Sequence, residues 1–297
     1  MTRITVATRR SALALAQTRA FCARLQACWP GLEVQELQVV TEGDRIQDRP
    51  LYEVGGKGLF VKEIEEALLE GRADFAVHSM KDLPWALPPG LILGCVPERA
   101  DPRDVLLVPP GREASLAALP KNARVGSSSL RRRLGLLRQR PDLQIEPLRG
   151  NIDTRIRRLI AGDFDGILLA AAGLHRLGLA ELPPHVALEP ELLLPAVAQG
   201  ILAIECREEA TETRRILAAL EHAPSRRRAE AERGVLGALS ADCTVPLAAF
   251  AEGNRLRACL WEGGQPWEAE AELGEEAEAV GHALGLRLLA AAGRLHR

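Results

Sequence analysis

The sequence predicts an α/β protein: two doubly wound units followed by a small α+β domain with a three-stranded antiparallel sheet. Three observations carry this expectation. Short apolar segments alternate with amphipathic helical stretches as far as Cys206, the pattern of strands covered by helices. After Pro224 the order becomes helix, three alternating segments, helix. The 297 residues also exceed one average domain, so more than one core is expected.

The elements follow in order. A short apolar strand is predicted at 4–7, with Ser11 as N-cap of a helix running to about 27. A second strand falls at 37–40, a glycine-rich loop at 54–58 and an amphipathic helix at 61–72, with strands at 74–79 and 91–96. The polar stretch 97–103 (PERADPR) reads as a hinge. Alternation restarts with strands at 105–108 and 124–126, a helix at 129–140, a strand at 144–148, a helix at 152–161 and a strand at 166–170. A proline-marked passage at 183–195 precedes the strand 201–206. A helix at 226–239, strands at 245–251, 256–261 and 267–273, and a helix at 277–292 complete the chain. The expected domains are 1–99 with 200–219, 105–195, and 223–297.

Composition excludes several classes. Apolar residues make up 47% and charged residues 26%, ordinary globular values. No apolar run reaches the ~18 residues of a membrane span, and the N-terminus lacks a signal-peptide core, so a cytoplasmic protein is expected. None of the six cysteines (Cys22, Cys28, Cys95, Cys206, Cys243, Cys259) forms a CxxC pair or has zinc-spaced histidines, so no metal is expected. The net charge of −2 makes the whole molecule no polyanion binder. Between Arg124 and Arg158, however, there are ten arginines and three acids. A general preference for arginine over lysine explains part of this, but not the local shortage of acids.

Five places could carry chemistry. Thr8-Arg9-Arg10-Ser11 joins a strand to a helix N-terminus, either an anion site or an ordinary cap. The loop Gly55-Gly56-Lys57-Gly58-Leu59-Phe60 permits close approach of a ligand but lacks P-loop spacing. His78-Ser79-Met80-Lys81-Asp82 places a carboxylate and an ammonium at a strand's carboxyl end, suited to proton transfer and charge stabilisation; the plainer alternative is a solvated turn. Ser127-Ser128-Ser129-Leu130-Arg131-Arg132 and Leu148-Arg149-Gly150-Asn151, with Arg155, put hydroxyls and guanidiniums at strand ends, where Arg forks match carboxylates. Scarce lysine and aromatics argue against nucleic acid there. Cys243 sits in a loop between a helix and a strand, the position among the six most suited to an exposed thiol.

These motifs in register, namely ATRRS, VGGKGLF, HSMKD, ERADPRD, GSSSLRRR, LRGN with Arg155, AAAGLHRLG, LPAVAQG and the Cys243 loop, resemble the porphobilinogen deaminase (hydroxymethylbilane synthase) family over essentially the whole chain. The resemblance implies two periplasmic-binding-protein-like domains and a third domain bearing a covalent dipyrromethane cofactor, thioether-linked to the cysteine matching Cys243. It implies a monomeric transferase that condenses four porphobilinogens head to tail, releases ammonia and hydrolyses off hydroxymethylbilane. Asp82 takes the catalytic position, as a buried carboxylate near the pyrrole N–H. Lys81, Ser127, Ser128, Ser129, Arg131, Arg132, Arg149, Gly150 and Arg155 match cofactor-binding positions. Arg9, Ser11, Lys57, Phe60, Arg176 and Gln199 match substrate-binding ones, with Lys57 and Phe60 on a lid. The chain departs from the family at Ala241, Asp242 and Ala198, where glycine is usual, and at Glu53, where a basic residue is usual.

Two other readings compete. A non-catalytic carboxylate-binding module explains the arginines but not Asp82 or the Cys243 loop. A nucleic-acid binder would show strongly salt-dependent affinity.

Overall fold

The computed structural model describes residues 2–42, 61–179, 181–239 and 245–294. It holds thirteen described strands in three sheets, within two compact units: Met1–Ala100 with Ile201–Arg227, and Asp101–Gly200 with Arg228–Arg297.

In the first unit, β1 (Arg3–Arg9), β2 (Glu33–Val39), β3 (Phe75–Ser79), β4 (Leu91–Cys95) and β10 (Leu202–Arg207) form a sheet of order β2-β1-β3-β10-β4. β1 runs parallel to β2 and β3, whereas β10 is antiparallel to β3 and β4. Strand alternation sends Ile4, Val6, Phe75 and Val77 to one face, where Phe21 and Leu25 of α1 (Ala12–Cys28) cover them. Ala7 and Ala76 face the other way, onto Ile64 and Leu68 of α2 (Lys62–Leu69). Both faces are covered at the sheet centre, so β3 is buried from Phe75 to His78, whereas the edge strand β2 stays largely polar.

The second unit repeats the plan. β5 (Asp104–Leu107), β6 (Arg124–Gly126), β7 (Gln144–Glu146), β8 (Gly166–Ala170) and β9 (His185–Leu188) form a sheet of order β7-β6-β8-β5-β9. β5 is antiparallel to β8 and β9, the place that β10 takes in the first sheet. In both sheets the antiparallel strand is the one that opens a segment of chain after it crosses from the other unit, near residues 100 and 200. α3 (Leu130–Gln139) covers one face through Leu136; α4 (Ile152–Ile160) and α5 (Ala171–Leu177) cover the other through Ile156, Leu159 and Leu174. The doubly wound plan expected from the sequence is therefore present twice.

The same unit contains a meander, β11 (Leu247–Glu252), β12 (Arg255–Glu262) and β13 (Gln265–Glu272), with helix α8 (Ala277–Ala291) and, from Arg228 on, helix α7 (Ala223–Ala238). α6 (Thr211–Leu217) belongs to the first unit. A Cβ on Gly281 would lie 1.9 Å from the Ala231 carbonyl oxygen, and one on Gly234 2.3 Å from that of Glu278, so α7 and α8 touch backbone to backbone. The meander and the β5–β9 sheet fall in one compact unit.

Two elements correct the sequence-based assignment. The passage 183–195 is no simple connection, because β9 lies inside it. It pairs on one side only, an edge position that tolerates flanking prolines. The second crossing falls at 200–201, after Gln199. The helix α5 was not foreseen, since its AAAGLHRLG sequence mixes small residues with a helix-ending glycine; Gly178 caps it at φ 57°.

Candidate functional site

The HSMKD segment lies where β3 ends. Met80–Asp82 form a single 3-10 turn, and the buried Met80 donates its backbone N–H to the Ile201 carbonyl at 3.0 Å. Gln17 of α1 donates Nε2 to Ser79 Oγ at 3.0 Å, which fixes the end of the strand. Lys81 and Asp82 are exposed. This corrects the expectation of a buried Asp82 carboxylate: a single 3-10 turn after the end of the central strand β3 leaves both side chains exposed. Behind the turn, His78 Nε2 and Glu205 Oε2 lie 3.1 Å apart, both buried. Burial, reinforced by Glu205 and opposed by His78, pushes the Glu65 carboxyl up to about 7.

Arg9 ends β1, and the Ser11 hydroxyl caps α1 by accepting the Ala14 N–H at 3.3 Å. The capping half of the sequence expectation is thus present.

In the second unit the three serines divide their work. Ser127 Oγ accepts the Ser129 N–H at 3.3 Å, Ser128 Oγ donates to the Leu148 carbonyl at 2.9 Å, and Ser129 Oγ accepts the Arg132 N–H as N-cap of α3. The β6–α3 and β7–α4 junctions are joined by the Ser128 bond. Gly150 adopts φ 102°, where a Cβ would also crowd Thr154 at 3.0 Å. Its carbonyl accepts Nε of Arg155 at 2.8 Å, tying that guanidinium to the turn bearing Arg149. Burial, together with Arg132 and Arg149, pushes the Arg155 guanidinium down to about 10. Burial does the same to Arg176, which donates Nη2 to the Gly200 carbonyl at 2.6 Å. Among the described residues no carboxylate pairs with Arg155 or Arg176. These are positive charges in a partly dry setting, without a carboxylate partner among the described residues.

Arg131 and Arg132 differ from the expectation of open guanidinium forks. Both are buried, at 4% and 8% exposure, against Asp104, at 0%. Arg131 donates Nη1 to Asp104 Oδ2 at 2.7 Å and to the Leu194 carbonyl at 2.8 Å. Arg132 donates Nε and Nη2 to Asp104 Oδ1 at 2.9 and 2.7 Å, and Nη1 to the Leu168 carbonyl at 3.0 Å. Gln199 is likewise corrected: it is 1% exposed, and its Nε2 donates to the Pro102 carbonyl and to Asp104 Oδ1 rather than standing open to a substrate. Sequence reasoning missed Asp104. An acid at the start of an apolar strand, directly after the hinge, was the available signal.

Lys57, Phe60, Glu53, Ala241, Asp242 and Cys243 lie outside the described residues. Of the other cysteines, Cys28 is exposed. Burial pushes Cys22, Cys95 and Cys259 up to about 12 and Cys206 to about 11, which leaves them protonated and unreactive. A cavity of about 520 Å³ lined by Gly135, Leu193, Trp261 and Cys259 contains none of the expected site residues. Its arginines are already paired, Arg138 with Glu268, Arg255 with Glu270 and Arg257 with Glu191. No helix among the described residues is long and apolar enough to cross a membrane.

Fold and site define a class: a doubly wound α/β protein with buried guanidiniums suited to a ligand's carboxylates. The family model for "Porphobilinogen deaminase, dipyromethane cofactor binding domain" matches residues 4–215. The chain is 51% identical over 298 residues to the porphobilinogen deaminase of Sorangium cellulosum (strain So ce56), covering 97% of this chain and 98% of that one. It is 55% identical over 252 residues to the one from Nitratidesulfovibrio vulgaris (strain Hildenborough), covering 84% and 79%. With that of Ralstonia nicotianae it shares 48% over 294 residues, covering 97% and 87%. The chain belongs to the porphobilinogen deaminase family.

Proposed function

We propose that this chain is a transferase of tetrapyrrole biosynthesis that condenses four porphobilinogens head to tail on a covalent dipyrromethane primer, releases ammonia, and hydrolyses off hydroxymethylbilane. Family membership over nearly the full length carries the proposal.

The residues present fit such a cofactor. Each pyrrole of this chemistry bears an acetate and a propionate, and Arg155 and Arg176 offer guanidiniums that no described carboxylate neutralises. Arg131, Arg132, Arg149, Arg155, Gly150, Lys81 and Ser127–Ser129 would hold the cofactor, with Cys243 as the thioether sulfur. Arg9, Ser11, Lys57, Phe60, Arg176 and Gln199 would serve the substrate, Gln199 through its bonds to Asp104 and Pro102. When bound, the cofactor supplies the nucleophilic pyrrole carbon from which the product grows.

Asp82 is the proposed catalytic residue. Loss of ammonia leaves positive charge on the substrate's pyrrole, and a carboxylate stabilises it electrostatically. The same carboxylate can pass a proton to the departing amine and take one from the coupling carbon. The first of these needs the acid form and the second the base, so one group alternating between them serves both. The C-terminal part, 223–297, is proposed as the domain that carries Cys243, and the whole as a cytoplasmic monomer.

Intact mass of the purified protein tests the reading. An excess of two pyrrole units, lost in Cys243→Ser and retained in Cys28→Ser, is expected. A bare polypeptide mass in active protein would overturn the cofactor assignment.

A further inference from the structure

We infer that Asp104 is a positioning residue for cofactor loading, acting through Arg131 and Arg132; this rests on the function proposed above. Asp104 sits in β5, with backbone neighbours Ala170 and Leu188 on either side. Its carboxylate is therefore a fixed platform inside a sheet rather than a group on a mobile loop. Four donor bonds converge on it. Oδ2 accepts Arg131 Nη1, and Oδ1 accepts Arg132 Nε, Arg132 Nη2 and Gln199 Nε2.

The charge count makes the arrangement informative. Two buried guanidiniums face one carboxylate, so one positive charge remains in excess at the start of α3. Arg131 Nε is buried with no hydrogen-bond partner, an incomplete donor on that same excess. Arg155 lies close enough for Arg132 to act on it electrostatically. An uncompensated buried charge is costly, and an incoming carboxylate relieves that cost. Burial alone would raise the Asp104 carboxyl, but Arg131 and Arg132 override it and hold it far below the ordinary range, so the group stays ionised at working pH.

Gln199 extends the arrangement. Through one nitrogen it joins the Pro102 carbonyl, on the chain's first entry to this unit, to Asp104. Residues flanking both crossings of the chain thus end on the group that orients the arginines.

Two roles for Asp104 predict opposite signs, which makes the inference testable. As a mere counter-charge, it competes with the ligand; Asp104→Asn would then leave two excess positive charges and tighten anion binding. As a positioning group, its loss lets the guanidiniums reorient, and carboxylates bind more weakly despite the added charge.

The experiment uses the full chain with two readouts. Intact mass gives the fraction of molecules carrying dipyrromethane, and calorimetry gives porphobilinogen affinity in a Cys243→Ser background that cannot attach it. Asp104→Asn, folded by circular dichroism, is expected to load at under a tenth of the wild-type fraction and to bind porphobilinogen at least tenfold more weakly. Wild-type loading, or tighter porphobilinogen binding, overturns the inference. If Asp104→Asn does not fold, Asp104→Glu decides, because it keeps the charge and moves it by one methylene. Reduced loading with a melting temperature near wild type supports positioning, and unchanged loading overturns it. A bare wild-type mass would instead sink the cofactor reading, while the porphobilinogen comparison would still decide the role of Asp104.

Discussion

The Glu232 carboxylate, wholly buried on α7, accepts the backbone N–H of Ala198 at 2.6 Å, and Ala198 stands at φ 55° in the left-handed region. Its other oxygen accepts the Ala251 N–H of β11 at 2.8 Å. One side chain therefore clamps an unfavourable backbone conformation beside the second crossing and ties it to the meander. An L-residue in that conformation costs about 1–2 kcal/mol. Ala198→Gly should remove this cost, less about 0.5–1 kcal/mol for the greater freedom of glycine when unfolded. A thermal midpoint raised by about 1–3 °C is expected; a lowered midpoint would refute the strain. Glu232→Ala should cost about 2–6 kcal/mol, because it leaves two buried N–H groups without their acceptor.

The α7–α8 crossing has no room for a methyl group. With the Ala231 carbonyl 1.9 Å from the site of a Cβ, Gly281→Ala forces the helices apart. Overpacking of this kind costs about 1–3 kcal/mol, and a rigid backbone partner puts it at the upper end. Thermal melting of Gly281→Ala beside Gly293→Ala is a direct check, since nothing lies within 4 Å of a Cβ at Gly293. The Gly293 change carries its own cost from φ 68°, so the expected result is a larger loss at Gly281.

The buried group Glu65, flanked by Glu205, His78 and Glu66, imposes a pH dependence on stability. Its folded value of about 7 lies above the ordinary 4.5, so the folded protein holds this proton more tightly than the unfolded chain. The contribution is complete below pH ~4.5 and is lost as the pH rises through ~7. About 3 kcal/mol is the size implied. Denaturant titrations at pH 5 and pH 8 should show Glu65→Gln gaining on wild type at the higher pH. Equal differences at both would disprove the raised value.

Asp82→Asn should lower turnover by about 10²–10⁴-fold, while the intact mass keeps the cofactor. Asp82 is exposed at the end of a short turn, so its substitution leaves the core untouched and melting should stay near wild type. Turnover within threefold of wild type would remove Asp82 from the mechanism.

Local pattern made much of the fold legible. β6 at Arg124–Gly126 and β8 at Gly166–Ala170 fall where apolar residues end against turn residues, and both match residue for residue. α1 begins at the Ser11 cap as its hydroxyl requires. The edge strand β9 was hidden because prolines flank it and half-buried strands of four residues carry little periodicity.

By itself the sequence determined the alternation of strands and helices, the local excess of arginine, the family, and the residues at each strand end. These are properties of spacing and residue type, which are written along the chain. Only the tertiary structure decided which arginines meet a carboxylate of the protein. Asp104 lies 27 residues before Arg131 and 95 before Gln199, yet β5 brings it against both. Pairing depends on distance and burial rather than composition. It turns Arg131 and Arg132 from open forks into a braced pair, while Arg155 and Arg176 lack a carboxylate partner among the described residues.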